Sequence, residues 1–326
     1  MAALPSLSRL LAGLALAGVL AGCGTSSVAP SQTPVHVAYA GSLQLLNNNI
    51  LGPTFHKLTG IPFQGQGGGS FGIAHEIAQG SIPANVFESI GDGPIQLLTP
   101  QKTTWALAIA ASPLVIAYNP HSPFAATFRQ IQDGQKPFSD VFALLAQPGF
   151  KLGRTNPNTD PQGQAFVMMI ELAQKQYHLN PQIVHNILGP IDSGSEIYTE
   201  EGVLSLLQSG GLDASSAFLS EAVERHLDYI ALPPSLNFAD PQDAATYASA
   251  QVKLTNGKVI TGAPLTVDVT TIGRPPSTQA VRFITFLLSK RGQAAWTKNG
   301  YTVFPPQVVG HVSEIPSPIR KMLPHA

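Results

Sequence analysis

The residues whose types and spacing could do chemistry are two serines, each placed after a glycine-ended run. Gly68-Gly69-Ser70-Phe71-Gly72 fits G-x-S-x-G, the pattern that sets a nucleophilic serine on a sharp turn between a strand and a helix. A nucleophile needs a histidine and an acid, and the chain offers acids followed by His311 in the order Ser, Asp, His. The context is wrong for a hydrolase, because the motif falls on the second strand and no His-Gly-Gly stretch precedes it to form an oxyanion hole. His75-Glu76 begins a zinc-helix motif, but Gln79 stands where the second histidine should be. No catalytic residue, metal site or cofactor is therefore expected, and a secreted serine hydrolase using Ser70 is kept as the alternative.

Binding chemistry uses both serines. The first N–H groups of a helix have no partner within it, and the helix dipole adds partial positive charge, so a helix start suits an anion. Ser42 and Ser70 each follow a glycine that lets the backbone approach a guest closely, and each adds a hydroxyl. Such a site needs no lysine or arginine. Two ordinary N-caps, worth about 1 kcal/mol each, explain the same spacing equally well.

The elements around these serines alternate. "VHVAYAG" (Val35 to Gly41) reads as a strand and "SLQLLNNNILGPTFHKLTG" as a helical region from Ser42. "IPFQGQGGG" is a second strand with a glycine turn, and "SFGIAHEIAQG" a helix from Ser70 to a stop at Gly80. The runs at Leu114 to Pro120, Phe150 to Pro157, Asp213 to Ser220 and Tyr229 to Pro234 are strand-like, and Asn256 to Ile272 reads as strands around a turn. Thr278 to Tyr301 reads as one long amphipathic helix with Val281, Ile284, Leu287 and Leu288 on one face and Gly300 as its stop. This order predicts an α/β fold with largely parallel sheets.

The first 23 residues carry Arg9, an apolar run too short to span a bilayer comfortably, and Leu20-Ala21-Gly22-Cys23, which looks like a bacterial lipobox. Cys23 is the only cysteine, so lipid attachment accounts for a thiol that no internal disulfide can use. Gly24 to Pro34 has the composition of a flexible tether. Charged residues are 11% of the 326, with a net charge of −1, which excludes the basic field that nucleic-acid binding requires.

Taken together, "VAYAGSLQLL", "GGGSFGIAHEIAQG", "GRTNPNTDPQGQAFVMMIELAQKQY" and "LSLLQSGGLDASSAFLSEA" resemble the molybdate/tungstate-binding proteins of ABC transporters over most of the mature chain. The most specific part is Asn156 to Gly163. The resemblance implies a two-lobed, type II periplasmic-binding-protein fold with two hinge strands, closing on an oxyanion held by serine hydroxyls and backbone amides. Carried over, Ser42 and Ser70 match the serines of the first lobe. Gln162 and Gly163 lie on a loop that opens a helix of the second, and Glu200 stands near the start of another helix whose amide points at the ligand. Asp160 matches an aspartate that approaches the metal of the oxyanion, although a turn aspartate capping the next helix is the equal alternative. Ala217 departs from the glutamate of the archaeal-type branch and Phe218 from the tyrosine of the family, which puts six-fold coordination in doubt.

The expected organisation is a signal peptide at 1–22, a lipidated N-terminus and tether at 23–34, lobe 1 at 35–117 plus 270–326, and lobe 2 at 118–269. The expected partners are molybdate, tungstate or a similar oxyanion, an ABC permease, and the membrane through lipid on Cys23. The chain is expected to work as an extracytoplasmic, lipid-anchored monomer. A binder of sulfate or another small anion is the alternative within transport, and a lipoprotein whose degenerate pocket holds no small ligand is a third.

Overall fold

Strand β5, Leu114–Tyr118, shows how the pattern becomes structure: Leu114, Ile116 and Tyr118 pack into one apolar cluster while Val115 and Ala117 pack into another on the opposite face. A strand buried on both faces must be central, with helices above and below it. The computed structural model describes residues 32–191 and 196–324. The expected signal peptide, the Cys23 lipidation site and the tether up to residue 31 lie outside the described residues.

The other strands are β1 (Val35–Ala40), β2 (Phe63–Gly68), β3 (Val86–Ile90), β4 (Trp105–Ala111), β6 (Leu152–Thr155), β7 (Ile197–Tyr198), β8 (Ala214–Phe218), β9 (Asp228–Ala231), β10 (Gln251–Lys253), β11 (Val259–Thr261), β12 (Thr266–Thr271) and β13 (Thr302–Gly310). They form two main sheets, ordered β13-β4-β12-β3-β1-β2 and β7-β6-β8-β5-β9, with β10 and β11 as a separate hairpin. Each main sheet is the centre of one lobe. In the first, Phe55 of the helix Gly52–Thr59 meets Phe283 of the helix Thr278–Leu288 at 5.1 Å on one face. Ile73, Ala74 and Ile77 of the helix Ser70–Gln79 pack on Ala38 and Phe87 on the other. In the second, the helix Pro161–Tyr177 covers one face, and Val203, Leu204 and Leu207 of the helix Glu200–Gln208 cover the other.

Three expectations need correction. The sheets are mixed, not largely parallel: β1 pairs β2 and β3, and β6 pairs β7 and β8, in parallel, while the remaining ladders of both sheets are antiparallel. The returning strand β12 and the inserted β5 cause this, because each enters its sheet from the other lobe instead of through a helical crossover, and β13, reached from β12 through two helices, shares its direction against β4. Residues 114–117 were expected in lobe 1, but β5 is interior to the second sheet. The chain passes between sheets at Ser112-Pro113, a few residues before the expected boundary, and returns through 262–265, a few residues before 270.

The third correction concerns the long helix after Thr278, which is two helices, Thr278–Leu288 and Lys290–Lys298. Ser289 breaks it with an extended backbone (φ −71°, ψ 159°). Its hydroxyl accepts from Gly292 N–H at 3.3 Å and donates to Phe286 O at 2.6 Å, closing one helix and starting the next. Ser289→Ala is expected to lower stability by about 1 kcal/mol, measured by urea unfolding, with the fold retained.

Candidate functional site

Strand β1 ends at Ala40, and Gly41–Leu43 forms one tight helical turn. Ser42 is 3% exposed; its carbonyl accepts from the Tyr301 hydroxyl at 3.3 Å, which holds the turn from behind. Its N–H donates to Glu200 Oε2 of the other lobe at 3.0 Å, and its own hydroxyl has no hydrogen-bond partner among the described residues. Strand β2 ends at Gly68, and Gly69 caps the helix that begins at Ser70. Ser70 Oγ accepts from Ile90 N–H at 3.2 Å, which leaves the hydroxyl proton to donate elsewhere. The nucleophile reading required a histidine in that place; His311 instead follows β13, and its N–H donates to Thr104 O at 3.0 Å.

The second lobe presents the turn after β6. Asn156 Oδ1 accepts from Asn158 N–H at 3.0 Å, and Asp160 Oδ1 accepts from Gln162 N–H at 2.8 Å, so Asp160 caps the helix Pro161–Tyr177. Glu200 is the first residue of the helix Glu200–Gln208, capped by Thr199 Oγ1, which accepts from Gly202 N–H at 3.1 Å. The segment before β7 is fixed by the buried Arg154 guanidinium, which donates to Leu188 O and Pro190 O at 3.1 Å each.

Between the two sets of turns lies a cavity of about 550 Å³, walled by Gly41 and Gly67–Gly69 on one side and by Asn156, Asp160 and Glu200 on the other. The lobes touch at its edge, where Phe71 N–H donates to Thr159 O at 3.2 Å. A Cβ at Gly69 would sit 2.9 Å from that same carbonyl, so only glycine permits this approach.

Asp160 and Glu200 line this cavity, and Ser42 and Ser70 are buried beside the lining residues Gly41 and Gly69 without lining it themselves. Gln162 and Gly163 sit behind Asp160 and do not line the cavity. Gln162 Oε1 accepts from Ser216 Oγ at 2.9 Å and its Nε2 donates to Glu221 Oε2 at 2.8 Å, so the side chain is engaged within the lobe. A Cβ at Gly163 would overlap Thr155 O, which makes it a packing glycine. Glu200 differs from its expected part as well, since its carboxyl, besides its helix start, faces the first lobe. Ala217 is buried among Val115, Val203 and Leu204, and Phe218 joins the opposite cluster. Sequence reasoning missed Glu201, paired with Arg225 at the rim, and Glu221. The only available signal for Glu221 was its place three residues after the last residue of β8, where it accepts from Phe218 N–H at 2.7 Å.

Three of the acids here are pushed above the usual carboxylate range. Burial pushes Asp160 up to about 7, against the lowering effect of hydrogen bonds from Gln162, Thr155 and Gly163. Burial raises Glu221 to about 8, partly offset by Phe218 N–H. Glu200 is raised well above the usual carboxylate range by burial and then by the neighbouring Asp160 and Glu221. Among the described residues no helix is long and apolar enough to cross a membrane, and no group of three or more acidic, histidine or cysteine side chains is placed to hold a metal ion.

The sequence profile of the bacterial extracellular solute-binding proteins matches residues 35–302, which takes in both lobes and every wall of the cleft. The chain belongs to that family. This solute-binding protein is 27% identical over 338 residues to the molybdate/tungstate-binding protein WtpA of Thermococcus kodakarensis, covering 94% of each chain. Its fold is similar to that of the periplasmic molybdate-binding protein of Azotobacter vinelandii, with a TM-score of 0.54, 17% identity, and coverage of 82% of this chain and 98% of that one. It is also similar to the sulfate-binding protein SubI of Mycobacterium tuberculosis, with a TM-score of 0.52, 14% identity, and coverage of 83% and 86%. At these identities the two structures establish the two-lobed fold alone.

Raised carboxyls make stability depend on pH in a defined direction. Glu88 and Asp268, at about 7, and Glu224, at about 8, join Asp160 and Glu221 in being protonated when folded at a pH where the unfolded chain, with carboxyls near 4, is ionised. Their protonated forms therefore favour the fold at low pH, and that contribution is lost as pH rises through 7 to 8. The melting temperature is expected to fall by about 5 °C or more between pH 5.5 and pH 8.5, followed by calorimetry without added anion.

Proposed function

We propose that this chain is the extracytoplasmic receptor of an ABC transporter for a tetrahedral oxyanion, molybdate or tungstate, which it holds between its lobes and delivers to a permease. The observation that carries the reading is the Ser42 hydroxyl: a buried donor without a protein partner, on a glycine turn at the cleft, is costly unless a guest uses it. The name of the Thermococcus relative supports the choice of anion. Cys23 would carry a lipid that tethers a monomeric receptor to the cell surface, and residues 24–34 would give it reach.

Binding follows from donors that need no cation. A dianion beside Gly41-Ser42 and Gly69-Ser70 receives backbone N–H groups and two hydroxyls, with the start of the Ser70 helix adding its dipole. Arg225 is engaged by Glu201 at the rim and does not serve the guest. Asp160 on the facing wall tolerates a dianion because burial raises it toward its protonated form, and a protonated carboxyl donates a hydrogen bond. Ala217 supplies no carboxylate and Glu221 is engaged by Gln162 and Phe218, which favours a plain tetrahedral guest over an expanded coordination. Contacts from both lobes to one guest favour the closed arrangement by differential affinity.

Ser42→Ala is expected to weaken molybdate or tungstate binding by about 10- to 100-fold, as for a hydrogen bond to a charged group. It should hardly change the melting temperature, since the hydroxyl has no protein partner. Calorimetry against molybdate, tungstate, sulfate and phosphate tests this, and the reading fails if the parent binds none of them or if sulfate or phosphate binds more tightly than both metal oxyanions. Affinity should also rise as pH falls from 8 to 6, by up to about tenfold per pH unit for each proton taken up. Asp160→Asn, which keeps the helix cap, should flatten that dependence around pH 7.

A further inference from the structure

The N–H that the oxyanion reading assigns to a guest is already answered from across the cleft. Ser42 N–H donates to Glu200 Oε2 at 3.0 Å, in a buried contact between residues 158 apart in sequence and on opposite lobes. The fit is close: a Cβ on Gly41 would overlap the Glu200 carboxyl, so the glycine admits the side chain as much as it would admit a guest. Glu200 is well anchored for this, as the first residue of a helix capped by Thr199, and Tyr301 holds the Ser42 turn from the other side. A carboxyl oxygen accepting a backbone N–H is the same interaction that an oxyanion oxygen would make.

The geometry points to Glu200 as a built-in stand-in for one oxygen of the guest: it latches the two lobes through the Ser42 amide and must be displaced before a ligand can use that amide. This rests on the oxyanion reading above, and it adds to that reading a residue that competes with the ligand instead of coordinating it. Loading then becomes an exchange of one acceptor for another at the same N–H, and the apparent affinity of the cleft is lowered by the strength of the latch. The Phe71-to-Thr159 contact is a second link between the lobes that the exchange leaves in place.

The test follows the Ser42 amide by NMR hydrogen exchange in the full mature chain, as parent, Glu200→Ala and Glu200→Gln, before and after adding sodium molybdate. In the ligand-free parent the amide should be protected, and in Glu200→Ala it should exchange at least about tenfold faster. Glu200→Gln retains an acceptor oxygen and should keep most of the protection. Molybdate should restore protection in Glu200→Ala, with an apparent affinity several-fold higher than in the parent. Small-angle scattering of the ligand-free proteins should show a larger radius of gyration for Glu200→Ala than for the parent. Equal exchange at Ser42 in parent and Glu200→Ala, with both folded by circular dichroism, overturns the latch, and so does weaker molybdate binding in Glu200→Ala. A parent that binds no oxyanion defeats the proposed function, yet the ligand-free exchange and scattering still decide whether Glu200 latches the lobes.

Discussion

Everything in the cleft depends on backbone N–H groups brought to the surface of a pocket by turns that lack side chains. An amide cannot be moved without moving its chain, so each donor is as fixed as the strand that feeds it. Strands β1 and β2 run parallel and in register from Val35 opposite Phe63 to Ala40 opposite Gly68, and both end at the same edge of the sheet. The two glycine-serine turns consequently emerge side by side, at the carboxyl ends of neighbouring strands, where open α/β sheets usually place their ligands. The second lobe repeats the device with the turn after β6 and the start of the helix that follows β7.

This arrangement explains how the proposed dianion site can be lined with acids. For side chains buried this deeply a carboxylate is more expensive than a carboxylic acid, and Asp160 raises Glu200 and Glu221 further. The neutral form is a hydrogen-bond donor, so the acidic wall complements the amide wall in place of repelling its guest. Gln162 contributes at one remove: it bridges Ser216 and Glu221 and passes its own backbone N–H to Asp160, fixing the orientation of a side chain that does face the cavity.

The two turns were legible in the sequence because glycine before serine at a strand-to-helix junction is a local signal. Ser70 at a helix start with Gly80 as its stop matches the helix Ser70–Gln79 capped by a left-handed Gly80. Asp160 was legible for the same reason, since Asp-Pro at a helix start fixes a cap. The Glu200 contact was not legible, because nothing within a window of sequence relates it to Ser42. Glu221 was hidden too, for its importance comes from what surrounds it and not from its neighbours along the chain. Strand β7, two residues long, carries no periodicity to detect. The split at Ser289 shows the limit of periodicity, which continued through a residue whose hydroxyl had a local use.

The pairing of Arg225 with Glu201 has one more effect. With Arg225 paired to Glu201 and a net charge of −1 overall, the protein carries no net positive charge to draw in an approaching anion. Capture must wait for chance collision, and background electrolyte has little to screen. A receptor of the proposed kind should perform alike in fresh and in saline surroundings, sorting its catch by fit at contact and not by pull from afar.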